Sequence, residues 1–225
     1  MFRPKINEEL FLSSLTPQEK QLLTAESTVV KMKKGQLVFS EDGIAFGCYL
    51  LLEGRVKLYK TGVLGKKQIF QIGTPGDMFG FHPILNEHKY PDSAELLEDS
   101  TLQFIPSTLF FRLLKSNNDL CICLLRALSN EFESLLGQET MLAQKTVRER
   151  VCSVLHGLIP HYQEGEEVFI PLSRNDLADL SGTVKETLVR VLHDLKEENV
   201  ICTTDSKGTI RIMDLGKLKR AGEID

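Results

Sequence analysis

Apolar residues along this chain change their rhythm near Leu109. From about Val29 to Ile105, short apolar runs such as KGQLVF, CYLLLEGRVKLYK, KQIFQIG and STLQFIP are punctuated by Gly35, Gly43, Gly54, Gly62, Gly65, Gly73, Gly76 and Gly80. Runs of that length between turn residues predict many short strands, and so a β-sandwich or barrel. In GRVKLYK, Val56, Leu58 and Tyr59 break strict alternation, so the pattern gives the strand-rich class but not each strand's buried side. Beyond Leu109 the period lengthens to that of a helix. NNDLCICLLRALSNEFESLLGQETMLAQ carries Leu120, Leu124, Leu128, Leu135 and Leu142 at intervals of three to four residues or their multiples. This predicts a helix from near Asn118 to Gln144, roughly 40 Å long at 1.5 Å per residue. One small β-domain does not bury so long a stripe, so these leucines are expected to pair with the same helix of a second copy. The alternative is a helix packed wholly inside its own chain, and Gly137 is a point of bend or close approach.

A further helix, TVRERVCSVLHGLI, places Val147, Val151, Val154, Leu155 and Leu158 on one face and is expected to end before Pro160. HYQEGEE reads as a loop and VFIPL as a strand. The chain thus divides into a β-rich domain (1–115), a long helix (116–144) and a C-terminal domain (145–225), an α+β organisation.

The C-terminal domain carries the most specific pattern, SRNDLADLSGTVKETLVRVLHDLKEENVI. Ser173 can cap a short helix whose dipole Asp176 complements, with Leu177, Ala178 and Leu180 buried. Gly182 supplies the positive φ of a tight turn. Thr183 is then read as the cap of a second helix, with Glu186 as its capping-box partner. At about 100° per residue, Leu188, Val191, Leu192 and Leu195 share one side of that helix. Glu186, Val189, Arg190 and His193 share the other, with Lys185 at its edge. Arginine can donate a bidentate pair to guanine, and a carboxylate can accept from cytosine. An ordinary solvated Glu–Arg pair would look the same on this helix alone. What tips the reading is the context: Asn199 ends the helix, and VICTTD and TIRIMD then form a hairpin-like wing around SKG. Three helices, two helix-joining turns and a wing predict a winged helix-turn-helix that binds double-stranded DNA. Its expected contacts are Ser173, Arg174, Thr183, Lys185, Glu186, Thr187, Val189, Arg190, His193 and Lys207.

Charge opposes this only in bulk. The net charge is −4, with 15 bases against 17 acids up to Gln144 and 12 against 14 after it. DNA contact therefore has to come from a local face rather than from an overall field. No run of 18 apolar residues and no N-terminal apolar core of a leader occur, so a cytoplasmic protein with no membrane partner is expected. Cys48, Cys121, Cys123, Cys152 and Cys202 have neither disulfide nor zinc spacing, and no metal site is expected.

These residues resemble the Crp–Fnr regulators, the family of the cAMP receptor protein and the fumarate–nitrate reduction regulator, over nearly the whole chain. Tyr49, Gly54, Val56 and Tyr59 are similar to a recurring segment of that family's cyclic-nucleotide-binding-type β-roll. Pro75, Gly76, Asp77 and Gly80 resemble its PGDxxG turn, and Thr183, Glu186, Thr187 and Arg190 its recognition-helix motif. The resemblance implies an N-terminal β-roll, a dimerisation helix and a homodimer on a roughly palindromic site. It also implies Glu186 and Arg190 as base readers and RNA polymerase as a partner. Lys185 stands where one branch has arginine and the other an apolar residue, which leaves the half-site open. Ser181 replaces a usually larger apolar residue. An effector pocket would be sought at Gly76, Asp77, Gly80, Phe81, His82, Asp92 and Ser93. Phe81 stands where cAMP-binding members place a ribose-binding glutamate. Asp92 and Ser93 stand where they place Arg-Ser, and a carboxylate there repels a phosphate. Cyclic-nucleotide binding in the usual mode is not expected. Residues 1–47 hold no cysteine, so an iron–sulfur cluster is not expected either. Haem ligation by His82, His88, Met78 or Cys48 stays open, and with it a gas-sensing or nitrosative-stress role; the effector is unknown. A cupin-type enzyme would need a histidine pair before His82, and none exists, so no catalytic residue is assigned. A signalling module whose winged helix makes only protein contacts is the remaining alternative.

Overall fold

The computed structural model describes residues 8–86, 89–165, 167–204 and 208–224. His88 and Lys207 lie outside the described residues. The elements in chain order are α1 (Glu8–Ser13), α2 (Pro17–Glu26), β1 (Thr28–Met32), β2 (Leu37–Phe39), β3 (Gly47–Glu53), β4 (Val56–Thr61), β5 (Lys67–Gly73) and β6 (Met78–Phe79). There follow α3 (His82–Leu85), β7 (Ser93–Leu96), β8 (Ser100–Pro106), α4 (Ser107–Ser116), α5 (Asn118–Gln144) and α6 (Val147–Tyr162). The chain closes with β9 (Gln163–Glu164), β10 (Glu167–Ile170), α7 (Arg174–Leu180), α8 (Lys185–Glu197), β11 (Ile201–Thr203), β12 (Ile210–Ile212) and α9 (Leu215–Ala221). They fall into two compact units that divide inside α5, between Ser134 and Leu135; the tip segment Val63–Ile69 groups with the C-terminal one.

The N-terminal unit is a roll of two four-stranded sheets, ordered β1-β8-β3-β6 and β2-β7-β4-β5. The inner residues Phe39, Leu51, Val56, Leu58, Phe79, Ala94, Leu96 and Leu102 form one core. Val56 to Tyr59 are all buried, which explains why β4 shows no alternation: both its faces are covered. A second core joins the roll to helices. Phe11, Leu15, Leu23, Met78, Phe81, Ile105, Leu109 and Phe110 pack there with Leu120, Leu124 and Ala127 of α5. Capping side chains set two of these helices. Thr16 and Glu19 form a capping box at α2, and Asn117 Oδ1 accepts the Leu120 amide at the start of α5.

The α5 boundaries match the periodicity, but the expected dimer stripe needs correcting. Leu120 and Leu124 are 0% and 4% exposed and belong to the chain's own core, with Leu128 packed against it. The open apolar side chains are Ile122, Leu125, Phe132 and Leu136, joined by Leu135 and Leu142. The leucine period was real, yet it reported mainly the inward side.

The C-terminal unit packs α6, α7, α8 and α9 with a sheet ordered β11-β12-β10-β9. Thr146 and Glu149 form a capping box that starts α6. The helix does not stop before Pro160; it runs to Tyr162. Proline forfeits one backbone bond there, while burial of Tyr162 holds the last turn down. α9, which the pattern did not flag, is capped by Asp214 and anchored by Leu218.

Candidate nucleic-acid interface

α7 begins as its sequence requires: Ser173 Oγ accepts the Asp176 amide at 3.0 Å. Leu177, Ala178 and Leu180 are buried. Gly182 then adopts φ +59°, where an L side chain would be strained by roughly 1–2 kcal/mol. The Thr183 amide donates back to Ala178 O at 3.0 Å, so Thr183 still belongs to the turn that closes α7. For that reason Thr183 is not the cap of α8. The cap falls one residue later, on Val184, which offers no side-chain acceptor, and the expected Thr183–Glu186 box is absent.

An arginine outside the sequence-predicted set holds this turn. Arg150, on α6, donates Nε to Ser181 O at 2.9 Å and Nη2 to Gly182 O at 3.2 Å. Its Nη1 reaches Lys145 O at 3.0 Å, bracing the α6 start as well. Arg148 Nη2 bonds Glu198 Oε2 at 2.6 Å, tying α6 to the far end of α8. Nothing in the sequence marks Arg150, because its partners are carbonyls and leave no side-chain signature.

α8 buries Leu188, Val191, Leu192 and Leu195. Opposite them Lys185, Glu186, Val189, Arg190 and His193 are exposed, and Thr187 is half-buried. Among the described residues no ion pair joins Glu186 to Arg190; instead Arg190 Nη2 lies 3.5 Å from Thr187 Oγ1. The outward face is therefore not spent on an internal pair. Asn199, at φ +56°, stops the helix and turns the chain into β11. β11 pairs with β12 through Ile201↔Ile212 and Thr203↔Ile210. Arg174, at the start of α7, lies against the wing turn: a Cβ built on Gly208 would come within 3.1 Å of its guanidinium. Burial lowers the pKa of Arg174.

The residues sought for an effector pocket each have a defined local environment. Gly76 takes φ +95° and donates its amide to Leu51 O. The buried Asp77 carboxylate accepts from the Thr74 amide (2.8 Å) and hydroxyl (3.2 Å), so this segment works as a turn. Gly80 faces the rings of Phe39 and Tyr90, 3.0 and 3.4 Å from where its Cβ would stand. Phe81 is wholly buried beside α5, and His82 Nε2 lies 2.8 Å from Glu131 Oε2. Ser93 Oγ accepts the Glu41 amide at 2.9 Å. Asp92 is half-buried and contributes to the raised pKa of Lys60, whose main partner is Glu41. Inside the roll, Phe39 stacks on Tyr90 with centroids 3.8 Å apart and also meets Tyr49 and Phe79. The Tyr90 hydroxyl donates to Gly47 O at 3.0 Å. Of the residues weighed as haem ligands, Met78 and Cys48 are fully buried and His82 is engaged by Glu131. Among the described residues no group of three or more metal-ligating side chains assembles, and no helix is long and apolar enough to cross a membrane.

Comparison with known proteins agrees with both units. A cyclic nucleotide-binding domain model matches residues 29–117, and a Crp-like helix-turn-helix domain model matches 149–221. The nitrogen fixation regulation protein FixK of Rhizobium meliloti is 28% identical over 185 residues, 82% of either chain. The cyclic AMP receptor protein of Thermus thermophilus is 25% identical over 205 residues, 91% of this chain and 93% of that one. In fold, FixK2 from Bradyrhizobium japonicum superposes with a TM-score of 0.78 at 22% identity, covering 87% of this chain and 96% of its own. With a roll of the matched type, a long helix after it and a winged helix-turn-helix at the C-terminal side, the chain belongs to the Crp–Fnr family of DNA-binding transcription regulators.

Proposed function

We propose that the protein acts in the cytoplasm as a homodimer on a two-fold-symmetric DNA site, with α8 of each copy in one major groove. The observation that carries this reading is the separation of faces on α8: four apolar side chains inward, and Lys185, Glu186, Arg190 and His193 outward with no partner among themselves. Glu186 and Arg190 read base edges, cytosine and guanine respectively, one helical turn apart. Lys185 reaches a base or a phosphate, and Ser173, Arg174, Thr183, Thr187 and Lys207 position the backbone. Val189 and His193 complete the face. The open stripe of α5 pairs the two copies. Ile122, Leu125, Ser129, Phe132 and Leu136 alternate in steps of three and four, the spacing of a left-handed coiled coil, with Leu135 and Leu142 at its flank. A signal received at the roll shifts the α5 pair, re-aims the two α8 helices and so changes what RNA polymerase meets. The role is regulatory, with no reaction catalysed.

Binding to duplexes selected from a random-sequence pool tests this reading. Because phosphate contacts release counterions, affinity should fall with added salt along a log–log slope of about −4 or steeper. The selected site should be an inverted repeat. A protein whose winged helix serves protein contacts alone would retain no duplex at low salt, and that result would sink the proposal.

A further inference from the structure

Lys145 and the cap Thr146 are the residues between α5 and α6, and every polar group of Lys145 is engaged. Its amide donates to Met141 O at 3.1 Å, closing the last turn of α5. Its carbonyl accepts Arg150 Nη1 at 3.0 Å, from the arginine that also holds the α7–α8 turn. Its ammonium donates to Ser153 Oγ at 3.1 Å, on α6. The same ammonium donates to Gly222 O at 2.6 Å and Glu223 O at 3.2 Å, in the turn that follows α9. A lysine ammonium has three N–H donors, and here each finds an acceptor.

The gripped turn is itself closely fitted. Glu223 adopts φ +45°, a conformation strained for an L residue that persists where its surroundings impose it. Gly222 lies so near α6 that a Cβ on it would stand 2.9 Å from Cys152 Cβ. The Ile224 amide closes back on Lys219 O at 3.0 Å. α9 reaches the other way as well: Lys217 Nζ donates to Glu198 O at 3.1 Å, at the end of α8. One short helix therefore spans from the α5–α6 joint to the far end of α8.

We propose that Lys145 is a positioning residue: by clamping the turn after α9 onto the α5–α6 joint, it fixes the direction in which α6 to α8 leave the end of α5. This rests on the reading of the protein as a dimer that engages two half-sites. A joint fastened through amide, carbonyl and ammonium sets the separation and rotation of the two α8 helices, and so the half-site spacing they accept. A joint that has lost the ammonium's grip lets them follow a neighbouring spacing.

One base pair added to or removed from the centre of a selected inverted repeat moves one half-site by about 3.4 Å and about 35° relative to the other. Wild-type binding should weaken at least about thirtyfold on either altered duplex, because both half-sites are no longer engaged together. Lys145→Met keeps the apolar stem and removes the three donors. It should bind the selected duplex about tenfold less tightly and distinguish the altered spacings by no more than about threefold. Lys145→Arg, which keeps the charge and donors, should restore spacing discrimination at least in part. Gly222→Val pushes the same turn off α6 through Cys152 and should reproduce the Lys145→Met result. The two changes together should do no more than either alone, as for residues that act through one contact. Affinity for a duplex holding a single half-site should stay within about twofold of wild type, since one α8 then needs no set relation to the other. Loss of single half-site binding would show Lys145 to be merely structural and overturn the inference, as would unchanged spacing discrimination in Lys145→Met. Retention of no duplex by the wild-type protein would instead overturn the DNA-binding reading itself, a distinct result.

Discussion

α5 and α8 are both amphipathic helices with one side in their own unit's core, and they differ in what the other side carries. On α5 it is apolar: Ile122, Leu125, Phe132 and Leu136 are 47–63% exposed. On α8 it is charged, with Val189 the sole apolar exception. Exposed singly, apolar side chains are ordinary; a row of them along one helix, spaced for a seam, is not. The lesson is that the inward sides report the fold and the outward sides report the partner. An apolar outward stripe fits a second helix like itself, and a polar one with free donors and acceptors fits a polyanion.

The largest expected effect comes from reversing the character of the α5 face. Phe132→Glu places a charge where a partner helix would desolvate it, and an unpaired buried charge is severely penalised. Sedimentation should show a dimer weakened at least a hundredfold, with the melting of the monomer little changed because Phe132 touches no core. Intact dimers would reassign this stripe. Next comes the α8 face. Glu186→Ala and Arg190→Ala should each lower the preference for the selected site over a scrambled duplex by about 1–3 kcal/mol. Unfolding in urea should move by no more than about 0.5 kcal/mol, the range for surface changes. A large stability loss would show these residues to be structural after all. The smallest effect sharpens the comparison at the helix start. Val184→Ser supplies the missing side-chain acceptor at the α8 cap, and about 1 kcal/mol of added stability is expected in urea unfolding.

Much of this was legible from residue patterns because it depends on local rules. The α5 limits, the Ser173 cap, the Gly182 turn and the two faces of α8 follow from periodicity and φ preference. What escaped depends on contacts between distant segments. That Leu120 and Leu124 face inward is decided by Phe11, Phe81 and Phe110, which only the folded roll brings beside them. The Thr183 cap failed by one residue because its amide was already committed to Ala178 O. Pro160 did not end α6 because Tyr162 is buried beyond it. Several residues of the candidate pocket are engaged for a similar reason. Asp77, Gly80 and Ser93 each answer a backbone or packing need of the roll, and sequence proximity to a family motif does not separate that need from ligand binding.

The Arg150 bracket bears on how such a regulator diverges. Its guanidinium grips the carbonyls of Ser181 and Gly182, groups that every residue possesses. The mounting of α8 is thus indifferent to the side chains displayed on it, and the displayed side chains take no part in the mounting. On the proposed reading of α8, exchanges at 185, 186, 189 and 190, made one at a time, would trade one operator for another while leaving that bracket in place. The same independence would let the face be transplanted: altered operator preference should be available by substitution at those positions alone, on an unchanged chassis.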